Sequence, residues 1–411
     1  MQSCLPVVPT STPPPRPVAL SAPLTRKLCV HEGAAVHYRT TILNADGSIA
    51  KRRDWKKNLI LDQGLNQIAT NVIAACAANC AVGTGSPVLR RDSGAINLSR
   101  SGTTVTASAG FFVSLDVGRV IKFNSGEEMH VTAFTDSTHV TVDISGTISS
   151  GPGTVWYVNN TGLISESKRT STLASDVGAN GTSFSVDTIS YQRTFIFSAE
   201  TGAVTYHEIG WSPVSSAGAN LFGMDIIPGV GDSLVTGQQY KVEVVLSLKL
   251  SPIAPTAVAD FGNNGYVTAG NFTFEGLDIG SNDSSFGVLR SDNSGLIDGG
   301  STMEPSATGM GKLQIATSTW TQGGVIAGPA STPGAVAPSS YVRGSYTSGS
   351  FSRQATSQWD VSTANGTHYG IYVNAFASRC MSLKYTNPQT KDSSHVLTII
   401  FQISWGRILT N

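Results

Sequence analysis

Apolar and polar residues alternate along several short stretches of the chain, which is the pattern of β-strands with one buried face. The longest alternation closes the first half of the chain, at Tyr240, Val242, Val244, Leu246, Leu248 and Leu250. Upstream of it, a turn at residues 200–202 separates two shorter alternations and predicts a β-hairpin. The apolar residues on either side of that turn are Phe195, Phe197, Val204 and Tyr206. Together these patterns predict an all-β protein.

The same elements return in shorter form near the C-terminus. A second hairpin pattern, with its turn at Asn365-Gly366, precedes the final strand pattern HVLTIIFQISWG. The run VLRRDSG at residues 88–94 also returns as VLRSDNSG at residues 288–295. Because the paired motifs come in the same order, we interpret the two halves as an internal duplication.

The duplication divides the chain into domains. We predict two related jelly-roll-like β-sandwich domains, formed by residues 55–97 with 161–254 and by residues 262–411, with a linker at 255–261. Residues 98–160 have no counterpart in the second half, and their short strand patterns predict a small inserted β-barrel or β-sandwich module. One helix is predicted to begin at Asp62, with apolar positions at Leu65, Ile68, Ala69, Val72, Ile73 and Cys76.

Residues 1–54 have the composition of an extended, basic N-terminal arm. Seven prolines lie within the first 23 residues, and the densest cluster is Pro13, Pro14, Pro15 and Arg16. A proline-rich segment cannot build a core and becomes ordered only through contacts with another surface. We therefore predict that the arm docks on neighbouring subunits. The basic run Lys51-Arg52-Arg53, with Lys56 and Lys57, is interpreted as a solvated loop before the helix.

Charge is unevenly distributed, although it sums to zero. Residues 1–57 contain nine Lys or Arg against three Asp or Glu, a net charge of +6, so the remaining residues carry −6. This contrast favours head-to-tail contacts between subunits. Only 13% of the residues are charged, which indicates large surfaces that face other subunits rather than water. A uniformly basic surface is missing, so a nucleic-acid partner is not expected.

No motif in the sequence predicts catalysis or a bound cofactor. His207 and Glu208 are adjacent on a strand and so point to opposite faces, where they cannot share a proton or a metal. Glu127 and Glu128 are neighbours on a predicted turn, whereas a glycosidase needs two carboxylates that face each other across a cleft. The glycine-rich run GTGS at residues 83–86 lacks the lysine and the strand-helix context of a phosphate loop.

No metal site is predicted either. His130 and His139 lie on separate strands of the module, where a metal pair is conceivable but exposed polar histidines are favoured. Cys76 and Cys80 are four residues apart on the predicted helix and could face one partner, but buried thiols are favoured. The spacing of three aspartates in the second half lacks the periodic ligands of a calcium loop; these are Asp278, Asp283 and Asp292.

Two aromatic residues of the module are candidates for contact with a glycan or a partner protein. Most aromatic side chains of so small a module are needed for its own core. Trp156 and Tyr157, however, are adjacent on one strand and must face opposite ways. One of the two is then free to point outward, beside polar groups, as glycan recognition requires.

The runs NLILDQGLNQIA, VGTG, EIGWS, LFGMDIIP and GQQYKVEVVLSL give the first half a familiar texture. The chain resembles structural proteins of tailed-bacteriophage virions, especially tail and fibre-associated proteins whose β-sandwich ends in a G-x-x-Y-x-V-x-x-x-L strand. The stretches FFVSLDVGRVIKF and HVTAFTDSTHVTV similarly resemble small β modules of phage fibre proteins. The likeness covers residues 55–254 and, more weakly, 262–407.

The resemblance implies a non-enzymatic virion component that is made in the host cytoplasm and acts in the tail, baseplate or fibre region. Its expected partners are sister subunits, as a homotrimer or a larger ring, other virion proteins and a host surface glycan. A head-decoration or head-fibre protein and a carbohydrate-binding receptor protein remain alternatives, with a glycan-depolymerising enzyme behind both. No apolar run approaches the roughly 18 residues of a membrane span, and prolines occupy the place of a signal peptide's apolar region.

Overall fold

The computed structural model of the protein describes residues 24–68, 73–175, 181–184, 188–252, 272–276, 313–319, 334–375 and 378–408. Strands dominate these residues, and the prediction of an all-β protein is confirmed. The cluster Pro13, Pro14, Pro15 and Arg16, the linker at 255–261 and the second copy of the VLR motif lie outside the described residues.

Four strands and two short helices precede the inserted module. They are β1 (Leu24–Leu43), β2 (Ile49–Arg52), β3 (Lys56–Ile60), α1 (Asp62–Ile68), α2 (Ile73–Cys76) and β4 (Asn79–Gly83). The predicted helix therefore begins at Asp62, as expected, with Leu65 and Ile68 buried in the main core. Cys80 lies on β4 rather than on the helix.

The module contains six strands and one short 3-10 helix at Ser114–Asp116. The strands are β5 (Arg90–Asp92), β6 (Leu98–Ala107), β7 (Val120–Phe123), β8 (Glu128–Asp136), β9 (His139–Gly151) and β10 (Gly153–Trp156). They form one antiparallel sheet in the order β5-β10-β7-β8-β9-β6. Apolar side chains from these strands, among them Val105, Val140 and Val155, pack into a core that is separate from the main core of the protein. The module thus begins at Arg90, before the predicted boundary at 98, because β5 pairs with β10.

The first domain continues after the module with β11 (Glu166–Thr170), β12 (Gly181–Phe184), β13 (Thr188–Ile196), β14 (Val204–Tyr206), β15 (Glu208–Ser212), β16 (Gly223–Ile226), β17 (Asp232–Leu234) and β18 (Gln239–Pro252). The described strands of the second half are β19 (Phe272–Gly276), β20 (Leu313–Ala316), β21 (Ala335–Val336), β22 (Ser340–Arg343), β23 (Ser352–Trp359), β24 (Gly366–Ala375), β25 (Ser378–Lys391) and β26 (Leu397–Arg407).

The two halves meet on β1. On one side β1 pairs with β18 in antiparallel register, and on the other side it pairs with β26 in parallel register. β18 pairs with β13, which pairs with β12; similarly, β26 pairs with β23, which pairs with β22. The local strand order is therefore β12-β13-β18-β1-β26-β23-β22. The two three-strand units therefore run in opposite directions on either side of β1. The described strands thus follow the same order on the two sides of β1, and the duplication stays a prediction.

Neither predicted hairpin forms. β13 pairs with β12 and β18, whereas β14 pairs with β17, so the turn at 200–202 joins strands of different sheets. In the second half, β23 pairs with β22 and β26, and β24 pairs with β20 and β25. The alternation correctly marked the strands but not their partners. β18 is consequently an interior strand, between β1 and β13.

Residues 24–54 do not belong to an arm. β1 is central to the 13-stranded sheet, and its residues Val36 and Tyr38 are buried in the main core. β2 pairs with β1 and includes Lys51 and Arg52, so this part of the basic run is an exposed strand, not the predicted loop. The basic residues of this segment were assigned to an arm because their acidic partners lie in distant parts of the chain.

Those partners are three buried acidic residues of the first domain. Asp232 accepts hydrogen bonds from Lys51 and Arg53 at 2.7 and 2.8 Å. Glu243 binds Arg39 and Arg52 at 2.5 and 3.1 Å, and Asp225 binds Lys56 at 2.8 Å. Burial opposes ionisation of Asp232, but the hydrogen bonds from Lys51, Tyr240, Thr40 and Arg53 hold its pKa below the ordinary value. The charges of these five basic residues are compensated within the chain, and the head-to-tail contact between subunits stays a prediction.

Candidate functional site at the junction of the module

Two connections lead into and out of the module, and they run side by side. The first spans residues 84–89 and the second residues 157–165. The amide of Tyr157 donates to the carbonyl of Leu89, and the amide of Thr84 donates to the carbonyl of Ser165, each at 2.9 Å. The module is therefore joined to the first domain by two adjacent segments of the chain that are hydrogen-bonded to each other.

Glu208 anchors both connections. It is fully buried on β15, and its carboxylate accepts hydrogen bonds from three backbone amides, those of Gly85, Ile164 and Ser165, at 3.1, 2.8 and 2.7 Å. A side chain at Gly83 or Gly85 would come within 2.5 Å of a Glu208 carboxylate oxygen. The glycines of the GTGS run are thus explained by this close approach.

A small apolar core lies beneath the connections. Leu59 and Leu221 from the first domain pack in one cluster with Val120 from the module and Leu89 and Val158 from the connections. Trp156 and Ile226 are partly buried against the same cluster. The module is therefore packed on its domain and does not hang on a free tether.

Cavities lie on both sides of the segment Pro87-Val88. The first has a volume of 540 Å³ and is lined by β3, the entering connection, Trp156, Asp225, Ile226 and Ile408. The second has a volume of 590 Å³ and is lined by Tyr157, the leaving connection and residues 218–219. Volumes of this size suit a small ligand or a protruding side chain of a partner.

Trp156 and Tyr157 face opposite cavities, as their adjacency predicts. Tyr157 is engaged within the module, since the guanidinium carbon of Arg119 lies 3.4 Å from its ring centroid and Arg91 donates to its hydroxyl at 3.4 Å. Both arginines bind the fully buried carboxylate of Asp116, at 3.0 and 2.5 Å. The ring of Tyr157 is thereby covered, which leaves Trp156 as the better candidate for ligand contact.

Trp156 is half-buried, and the Arg90 guanidinium lies 5.7 Å from its ring centroid. Its indole nitrogen has no hydrogen-bond partner among the described residues. The same holds for both polar atoms of the Asn58 amide, on a side chain that is only 6% exposed. Buried polar atoms nearly always form hydrogen bonds to protein, water or a ligand. The wall of the first cavity therefore contains hydrogen-bonding groups whose partners are not among the described residues.

The first cavity contains one neutralised cation and two cations with little compensation. The Lys56 ammonium is bound to Asp225, whose carboxylate also accepts from the Tyr38 hydroxyl at 3.0 Å. Burial raises the pKa of both Asp225 and Tyr38. Lys57 forms no ion pair within the described ranges; burial and the nearby Lys122 lower its pKa, and the carboxylate of Glu128 partly opposes them. Arg90 reaches Asp92 only at 3.7 Å, with both side chains about half exposed.

A second polar link joins the module, α1 and β26. Asp62 at the start of α1 binds Arg407 of β26 and lies 3.9 Å from His130 of the module. Asp143 approaches the other ring nitrogen of His130 at 3.3 Å. Asp62 first, with help from Asp143, raises the pKa of His130 above its ordinary 6.5, against the opposing effects of partial burial and Arg407. Trp405 also donates to the carbonyl of Leu65 at 2.7 Å.

The other candidate residues do not converge on a site. His130 lies beside Asp62 and Asp143, whereas His139 lies 3.1 Å from Asp136 on an exposed turn. Glu128 binds Lys122 at 2.9 Å. Cys76 and Cys80 are buried free thiols; burial raises the pKa of Cys76 to about 12 and that of Cys80 well above its ordinary value.

Within the part of the chain that the structure describes, no three His, Cys, Asp or Glu side chains gather where they could hold one metal ion. Asp278, Asp283 and Asp292 lie outside that part. The sequence did not single out Lys57, Arg90 or Glu208 as site residues. Adjacent lysines on a strand were visible, but nothing local indicates that β3, β5 and β15, which carry Lys57, Arg90 and Glu208, come together at one junction.

Comparison with protein-family models, curated proteins and solved structures finds no match to this chain. No helix of the described ranges is long and apolar enough to cross a membrane.

Proposed function

We propose that the protein is a non-enzymatic structural component of a tailed-bacteriophage virion, located in the tail, baseplate or fibre region and assembled from several copies. The resemblance of the first half to such proteins supports this role, as does the all-β architecture. A head-decoration protein is the rival location. Oligomerisation provides the apolar contacts that the module leaves open.

Exposed apolar side chains on the Tyr157 side of the junction support the assembly role most directly. In the segment that contains the 3-10 helix, Val113, Leu115 and Val117 are all exposed, and Leu115 is 71% accessible. The carbonyl of Val117 accepts from the side chain of Asn159, which lines the second cavity. Ile164 lines the same cavity and is 66% accessible. Of these four apolar residues Ile164 lines the cavity, and exposed apolar groups of this size are typical of a protein contact.

The first experiment is a mass measurement of the purified protein across concentration. We expect a homo-oligomer, with the variant Leu115→Asp shifted towards monomer because a charge would be buried in the contact. Thr103→Asp is the matched control, since it adds the same charge at another exposed position of the module. Unfolding temperatures of both variants should equal that of the parent. A parent that is monomeric at every concentration would contradict self-assembly.

The second experiment locates the protein. Particles purified from cells that carry the gene should contain the chain in multiple copies, and a density label fused after Ile408 should appear on the tail. A label on the capsid surface would favour the head-decoration alternative. Absence of the chain from all particles would contradict a virion role.

A further inference from the structure

The first cavity has the build of a binding site for a small amphipathic molecule. Its wall combines the apolar side chains of Leu59, Leu89 and Ile226 with the indole of Trp156, and charged side chains are added at Lys56, Lys57 and Arg90. Apolar and aromatic surface with a few polar groups is the usual composition of ligand pockets. The volume of 540 Å³ accommodates a molecule of one or two sugar rings.

The charges of this wall select for an anion. Asp225 is already neutralised by Lys56 at 2.8 Å. Lys57 is half-buried and forms no ion pair in the described ranges, while Arg90 has only the loose contact with Asp92. An anionic group placed near Lys57 and Arg90 would compensate both cations, in surroundings where water screens charge less than at an open surface.

The remaining wall chemistry favours a ligand that also carries hydroxyl groups. The Asn58 amide offers a donor and an acceptor without partners among the described residues, and the Trp156 indole offers a further donor. Both residues line the cavity, and these polar atoms are buried in its wall. Hydroxyl groups both donate and accept, and the axial hydrogens of a sugar ring pack well on an indole face.

We propose that this cavity binds an acidic sugar unit, with its ring against Trp156 and its anionic group between Lys57 and Arg90. The inference goes beyond the assembly role, because it concerns the opposite side of Pro87-Val88 from the exposed apolar residues. Trp156 is thereby separated from Tyr157 in function as well as in direction.

Titration followed by ligand NMR and tryptophan fluorescence tests the proposal. The probes are the methyl glycosides of glucuronic acid, galacturonic acid and N-acetylneuraminic acid, with methyl glucoside and methyl galactoside as neutral counterparts and inorganic phosphate as the simple anion. We expect at least one acidic glycoside to bind with a Kd of about 1 mM or tighter, and its neutral counterpart about tenfold more weakly, since a charge-assisted contact is lost.

Variants assign the binding to the cavity. Replacing Lys57→Gln and Arg90→Gln together should weaken the acidic glycoside about tenfold, and Trp156→Phe should weaken it about fivefold by removing the indole donor. Arg52→Gln and Trp55→Phe are the matched controls. Trp55 also lies under an arginine, with the Arg39 guanidinium 4.7 Å from its ring, but neither residue lines this cavity.

Three results would overturn the proposal. The first is equal affinity for acidic and neutral glycosides. The second is an equal loss of glycoside affinity in the control variants. The third is the absence of saturable binding for all three acidic probes at concentrations well above about 1 mM. Phosphate that binds as tightly as the acidic glycoside would replace the sugar site by a plain anion site. Each result leaves the oligomer mass unaffected, so failure here is distinguishable from failure of the assembly role.

Discussion

Trp156 and Tyr157, at the end of β10, face two different surfaces of the molecule. These surfaces differ in which of their groups lack an interaction partner. On the Trp156 side, cations and buried polar atoms lack partners. On the Tyr157 side Asp116 binds both Arg91 and Arg119, although the Nε atoms of these arginines have no partner among the described residues, and exposed apolar side chains are present as well. Unpaired polar atoms call for a polar ligand, whereas bare apolar surface calls for another protein surface. The Trp156 side is therefore a candidate ligand site, and the Tyr157 side is a candidate assembly contact.

The largest expected effect comes from removing the anchor that both sides share. Glu208→Ala leaves three backbone amides without their charged acceptor, and we expect the first domain to lose about 3–5 kcal/mol of unfolding free energy. Both cavities should be lost, with weaker glycoside binding and weaker self-association. Denaturant unfolding, with the two binding assays, measures the change.

Glu208→Gln is the control, because the amide oxygen still accepts hydrogen bonds although the charge is lost. It should cost clearly less than the alanine variant. Equal stability of Glu208→Ala and the parent would mean that the connections do not depend on this carboxylate.

A smaller effect should separate the two sides. Asp116→Ala removes the buried partner of Arg91 and Arg119 and should cost about 2–3 kcal/mol, because both arginines can partly turn to water. The Arg119 stack on Tyr157 should loosen, so self-association should weaken. Binding of the acidic glycoside should stay within twofold of the parent in the same protein preparation. A matching loss of glycoside binding would show that the two sides are one unit.

The smallest effect is a pH dependence at the link between the module and α1. The folded-state pKa of His130 is raised, so protonated His130 stabilises the protein fully below its ordinary 6.5, and this contribution is lost as the pH rises through the higher folded value. Arg407 stays charged throughout and opposes the effect. We expect less than about 1 kcal/mol, since the imidazole is over one third exposed.

The measurement is the unfolding free energy of the parent and of His130→Gln between pH 6 and pH 9. The difference between the two proteins should shrink as the pH rises. A difference that grows with pH would contradict the raised pKa. A change of glycoside affinity over the same range would tie this link to the first cavity.

The strands were largely predictable because each one follows a local rule. Alternation of buried and exposed residues is set by neighbours two positions apart, and Val242, Val244 and Leu246 are buried as predicted. Strand partners are not local. β13 pairs with β18 instead of β14. Residues 24–54 were assigned to an arm because the acidic partners of Arg39 and Arg53 are Glu243 and Asp232, which lie far along the chain.

The candidate site was predictable only in part, for the same reason. Adjacency on a strand was enough to place Trp156 and Tyr157 on opposite sides. The roles of Lys57, Arg90 and Glu208 depend on three segments that meet only in the folded protein. Their residue types alone fit a solvated surface equally well.

Hydroxyl-radical footprinting of the purified protein tests the separation of the two sides most directly. Labelling is compared at low and high protein concentration, and then with and without the acidic glycoside. The account predicts that high concentration protects Leu115 and Ile164 but leaves Trp156 unchanged, and that the glycoside protects Trp156 but leaves Leu115 and Ile164 unchanged. Protection of both sides by either treatment, or of neither side by both, would contradict it.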